Sequence, residues 1–94
     1  MSQICEREFL IRSELGLHAR PAGRFVALAG RFRSEIQVAR EDEWVSGLSV
    51  LSLLSLAAGQ GTRLRVRAVG EDAEQAVEAL GQLLEAPGEP ALEV

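Results

Sequence analysis

Ninety-four residues can build one compact core but not a two-domain enzyme with a cleft between its halves. An apolar fraction of 47% and a charged fraction of 26% match an ordinary soluble globular domain and exclude collagen-like, low-complexity and wholly disordered chains. A net charge of −4 with 4% aromatic residues argues against general nucleic-acid binding.

The chain starts MSQICEREFLIRSE, with no basic stretch leading into an apolar core, so no secretory signal is expected. Its apolar runs are far shorter than the roughly 20 residues that span a bilayer, so no membrane insertion is expected either. One cysteine, Cys5, makes no internal disulfide, and one histidine, His18, excludes multi-histidine metal sites. A reducing cytoplasm is the expected location. All ten basic residues are arginine, which removes Schiff-base chemistry and a P-loop lysine, and the glycine patterns of nucleotide-binding loops are missing.

The first predicted strand is Glu8 to Arg12, with Phe9 and Ile11 on one face. After a short connection containing Gly16, a helix is predicted from Ala19 to Ala29. Ala22, Phe25, Val26 and Ala29 form its apolar stripe, Pro21 sits in its first turn and Gly30 stops it. Ser34 to Arg40 reads as a second strand, Glu41 and Asp42 as a turn, and Glu43 to Val45 as a short third strand, so a hairpin is expected with Trp44 packed on it. Gly47 to Leu56 reads as a second helix, with Ser49, Ser52 and Ser55 as a narrow drifting polar stripe. Such a narrow stripe leaves Val50 and Leu51 partly exposed, as at a contact surface. Arg63 to Val69 is the clearest strand: Leu64, Val66 and Ala68 alternate with Arg63, Arg65 and Arg67, one face buried and one wet. The last helix is predicted from Ala73 to Glu85, with Asp72 and Gln75 resembling a capping box. Pro87, Gly88 and Pro90 mark 87–94 as a flexible tail outside a domain of residues 1–86. The order β-α-β-β-α-β-α, with one wet sheet face, is that of a two-layer α+β sandwich.

The chemically loaded segment runs from Leu15 to Ala22. His18 stands just ahead of the first helix, where free N–H groups and the helix dipole favour an anion. Arg20 adds a forked cationic donor two residues on. An imidazole titrating near neutrality keeps one ring nitrogen unprotonated and nucleophilic. These parts suit a transient phosphohistidine, because phosphoryl transfer asks mainly for positioning and electrostatics. On spacing alone, a lone histidine near a helix start is more often a capping or surface residue.

Gly16-Leu17-His18-Ala19-Arg20-Pro21-Ala22 resembles the active-site signature of the HPr family, the histidine-containing phosphocarriers of the bacterial phosphoenolpyruvate:sugar phosphotransferase system. Arg31 to Ile36, Ser49, Gly59 to Thr62 and Gly70 to Asp72 are similar to further HPr segments, so the likeness covers about residues 7–86. It implies an open-faced β-sandwich with a four-stranded antiparallel sheet and three helices on one face. It also implies a carrier, without turnover of its own, that takes a phosphoryl group from phosphorylated Enzyme I on Nδ1 of His18 and passes it to an Enzyme IIA domain. By the same resemblance Arg20 and the helix start at Ala19 and Arg20 hold the phosphate, and Ser49 is the serine modified by HPr kinase/phosphorylase. Val50 and Leu51 belong to the docking patch, with Arg24 on its rim. A monomer needing no metal or organic cofactor of its own is implied; magnesium belongs to Enzyme I.

The chain departs from the family pattern in having no lysine, in Leu48 where lysine is common, in Ser52 where glycine or lysine is common, and in Leu15 where a polar residue is frequent. These departures bear on partner preference and kinase recognition rather than on phosphocarrier chemistry. Three other readings stand beside the sugar branch. One is the nitrogen-related regulatory branch (NPr), with the same histidine chemistry. Another is a docking regulator of the same fold, whose known kind lacks the histidine. The third is nucleic-acid binding through Arg63, Arg65 and Arg67, against which stands a solvated face with ion pairs to Glu35 and its neighbours.

Overall fold

The computed structural model describes residues 3–87, so the expected tail at 87–94 lies almost wholly outside the described residues. Seven elements follow in the expected order: β1 (Gln3–Leu10), α1 (Ala19–Ala29), β2 (Glu35–Arg40), β3 (Glu43–Ser46), α2 (Val50–Ser55), β4 (Arg63–Gly70) and α3 (Ala73–Glu85). The sheet is four-stranded and antiparallel throughout, in the order β1-β4-β2-β3. The last strand in the chain is thus inserted between the first two. Because β1 and β4 run antiparallel, with Leu10 opposite Arg63, the loop that leaves β1 lies beside the loop that enters β4. That adjacency positions the site described below.

Alternation in β4 turns Leu64, Val66 and Ala68 onto the helix-covered face, all with no exposed surface. They meet Ile36 and Val38 of β2, Ala22, Phe25 and Ala29 of α1, Leu53 of α2, and Ala73, Ala76, Val77, Leu80 and Leu84 of α3 in one core. Gly81 lets α3 approach β1 closely, since a Cβ there would fall 2.1 Å from the Phe9 ring. Arg7 and Glu78 clamp the same pair of elements from outside at 2.8 Å.

The other sheet face carries charge in rows. Arg63 pairs with Glu8 at 3.3 Å and Arg65 with Glu6 at 3.6 Å. Among the described residues, the ion-pair partners of Arg63 and Arg65 thus come from β1 rather than from Glu35. Arg65 also stacks over Trp44, 5.1 Å from the ring centroid, and donates to the Glu41 carbonyl. Both side chains stand opposite Ala39 on the same face, and Ala39 is fully covered. Trp44 thus packs on the hairpin as expected.

The observed β1 starts at Gln3 and ends at Leu10, five residues earlier and two residues earlier than the sequence pattern indicates. Its length is set by its partner, since all eight residues pair with β4. The run Glu6-Arg7-Glu8 masks the alternation because those charges have ion-pair partners on β4 and α3. The second helix is shorter than expected, Val50–Ser55, because Ser49 is its cap rather than an interior residue. Gly30 does end α1, but in right-handed backbone (φ −66°, ψ −12°), so the left-handed freedom of glycine is not used there.

The capping box at Asp72 is not formed. Asp72 opens α3, but its side chain makes no bond to that helix. Its carboxylate reaches across to the start of β2 instead, accepting from Ser34 Oγ at 2.7 Å, Ser34 N–H at 3.0 Å and Arg33 N–H at 2.9 Å. Sequence spacing could not show this competitor, which lies 38 residues away. It also explains why β2 begins at Glu35 rather than Ser34. The Ser34 hydroxyl foremost, with the Arg33 N–H, holds the Asp72 carboxyl below the usual carboxylate range. A depressed folded value stabilises the fold above the unfolded carboxyl pKa, and that contribution fades as pH falls through the folded value. Asp72→Asn should therefore lower the thermal midpoint at pH 7. The gap from wild type should shrink on acidification to about pH 3, as melts followed by circular dichroism would show.

Candidate functional site

The loop after β1 is held at several points. Ile11 N–H donates to Thr62 O at 2.9 Å, Gly61 N–H to Ile11 O at 2.8 Å, and Gln60 Nε2 to Arg12 O at 3.0 Å. Ser13 and Gly16 close a turn, with Gly16 N–H on Ser13 O at 3.0 Å and Ser13 Oγ on Gly16 O at 3.2 Å. Leu17 N–H then donates to Ala58 O at 2.8 Å, and the Leu17 side chain is buried. Gly16 has φ +70°, and a Cβ on it would lie 2.5 Å from Ala58 O and 2.7 Å from Gly59 Cα. Both the left-handed backbone and the close approach require glycine.

His18 is the N-cap of α1, exposed, in extended backbone (φ −88°, ψ −169°), and its ring makes no capping bond to the helix. Its main chain is fixed: N–H to Gly16 O at 2.9 Å, and O from Ala22 N–H at 3.0 Å. Pro21 has no N–H, so the two N–H groups upstream of that first helical bond are those of Ala19 and Arg20. Ala19, Arg20 and Arg24 are all exposed on α1, and Arg20 and Arg24 are one helical turn apart. The helix start thus gathers an exposed imidazole, two helix-end N–H groups and a guanidinium. This is an arrangement that favours an anion on the imidazole.

Ser49 caps α2 and accepts from Ser52 N–H at 3.1 Å. Val50 is half-buried and packs on the core, while Leu51 is 80% exposed. Leu48 at 55% and Leu15 at 75% are also exposed. The sequence marks Leu15 and Leu48 as departures from a family pattern without predicting that they face solvent, and no local signal in it shows their exposure. Since Ser49 is a working cap, Ser49→Ala should cost about 1 kcal/mol of stability in a denaturant titration, within the range of lost hydroxyl caps. Ser49→Asp should restore most of it.

Known proteins share this fold and much of this sequence. Residues 5–86 match the family model described as PTS HPr component phosphorylation site. The chain is 43% identical over 79 residues to the phosphocarrier protein HPr of Pseudomonas putida, covering 83% of this chain and 88% of that one. It is 46% identical over 79 residues, 81% of its length, to a multiphosphoryl transfer protein of Haemophilus influenzae, of which it spans 16%. The crystal structure of a phosphocarrier protein HPr from Bacillus anthracis superposes with a TM-score of 0.83 at 33% identity, over 87% of this chain and 98% of that one. Fold and matches together define a small phosphocarrier domain. The chain belongs to the HPr family of the phosphotransferase system. Among the described residues no helix is long and apolar enough to cross a membrane.

Proposed function

We propose that His18 is the phosphoryl acceptor, loaded by phosphorylated Enzyme I and unloaded by an Enzyme IIA domain. The observation that carries this reading is the exposed His18 ring at the start of α1, beside the N–H groups of Ala19 and Arg20. The lone pair of the neutral ring nitrogen, Nδ1 by family resemblance, forms the N–P bond as the donor's bond to phosphorus breaks. Unloading reverses this toward the next acceptor. The Arg20 guanidinium and the helix-end N–H groups offset the charge on the phosphoryl oxygens. Little else is asked of the chain, because the partner supplies the rest of the site.

In this reading residues 1–86 are the working domain. Leu51 and Val50 dock the partners, with Arg24 at the rim, and Leu48 and Leu15 enlarge the apolar surface available to them. Ser49 is the regulatory serine. A phosphate there would add two negative charges beside exposed Leu48 and Leu51, at odds with an apolar partner surface. The test is transfer of label from phosphoenolpyruvate through Enzyme I of the same host. Acid-labile, base-stable label on the chain is the expected result. An unlabelled chain, in a mixture where Enzyme I itself becomes labelled, would overturn the reading.

A further inference from the structure

We infer that Arg40 is a positioning residue for the phosphoacceptor loop, acting from the far hairpin through the loop between α2 and β4. The inference rests on His18 being the acceptor. Arg40 is the last residue of β2, and its Nη1 donates to two successive carbonyls at the C-terminus of α2, Leu56 O at 3.0 Å and Ala57 O at 2.8 Å. Leu56 is the C-cap of α2, so its carbonyl is among those a helix end leaves without intrahelical partners, and Ala57 follows it; a cation suits that end of the helix dipole.

Ala57 is where this contact has its effect. It sits in left-handed backbone, φ +51°, one of two non-glycine residues to do so among those described. A Cβ disfavours that conformation, so the residue stays there only if its surroundings hold it. The Ala57 N–H is tied back to Leu54 O at 3.0 Å and its carbonyl is tied to Arg40. The turn made at Ala57 sets the direction of the next peptide. One peptide further on, Ala58 O is the acceptor for Leu17 N–H at 2.8 Å and the surface against which Gly16 is packed. Leu17 is the residue before His18. A contiguous series of bonded groups therefore runs from Arg40 through Ala57, Ala58 and Leu17 to His18.

Geometry favours action on the histidine over a general contribution to stability. The hydrogen bonds of Arg40 go to Leu56 and Ala57, and the residue that follows them, Ala58, bonds the segment that carries the imidazole. Hydrogen exchange and ring chemical shifts, read by NMR on the intact chain, test this without requiring transfer. Arg40→Met is expected to raise the exchange rate of the Leu17 amide about tenfold while amides in the centre of β4 keep theirs, and to shift the His18 ring signals. Transfer from Enzyme I should lose kcat by about fivefold with KM little changed, since misplacement of the acceptor rather than loss of docking is at work. Arg40→Lys, which keeps a donor, should recover part of each effect and also serves if Arg40→Met does not fold. Val77→Ala, a core truncation in α3, is the control for lost stability and should leave Leu17 and His18 signals in place. Unchanged Leu17 exchange and His18 shifts in both Arg40 variants would overturn the inference, as would a Val77→Ala variant that reproduces them. If wild type accepts no label, the acceptor reading fails, and the NMR result still decides whether Arg40 holds the loop.

Discussion

His18→Ala is expected to abolish acid-labile labelling from phosphoenolpyruvate while leaving the thermal midpoint close to wild type. The two halves of this result have separate physical causes. No other imidazole exists in the chain, so no neighbouring nitrogen can take over as acceptor. The ring is exposed and makes no capping bond, so truncating it removes neither packing nor a hydrogen bond from the helix. Exposed substitutions of this kind usually fall within about ±0.5 kcal/mol. The bonds that fix the segment come from the main chain of residue 18 and remain with alanine. Labelling combined with a melt checks both halves. Persistent labelling of the variant would move the acceptor elsewhere.

Gly16→Ala is expected to show the opposite pattern, with stability and transfer falling together. The left-handed backbone at Gly16 costs a residue with a Cβ about 1–2 kcal/mol. Crowding adds about 1–3 kcal/mol more, because the new carbon meets Ala58 O at 2.5 Å and Gly59 Cα at 2.7 Å. These are backbone atoms, and no side-chain rotation relieves the contact. At Gly81 the clash is shorter, 2.1 Å, but it is with the ring of half-buried Phe9, which can turn aside. Gly16→Ala is therefore the costlier change, and relief of its clash must come from moving the loop that carries Leu17 and His18. The thermal midpoint should drop by about 10 °C or more for a domain of this size. The rate of label transfer at a temperature where the variant is still folded should fall as well. A variant that melts low but transfers at the wild-type rate would separate the loop's packing from the histidine's placement.

Much of this architecture can be read from local pattern. The stripe Ala22, Phe25, Val26, Ala29 marks α1 to its exact ends, and the alternation in Arg63 to Val69 marks β4 to within a residue, because each buries one face along a single element. The site is legible for a similar reason: His18, Arg20 and Pro21 are neighbours in the chain, and the helix start that groups them is a local feature. Legibility ends where a residue's partner is distant. Asp72 looks like a capping residue until Ser34 and Arg33 are brought against it. Charged β1 looks like a five-residue strand until β4 supplies its partners.

The element order, the buried faces and the place of His18 at a helix start can be read from the chain alone, since they follow from side-chain periodicity and short-range backbone chemistry. That β4 enters between β1 and β2, that the 57–62 loop seats Gly16 and Leu17, and that Arg40 holds the end of α2 come from the assembled fold. Those contacts join groups more than a dozen residues apart, and no local preference specifies them; they arise when β4 pairs on both sides and buries Leu64, Val66 and Ala68 in the shared core.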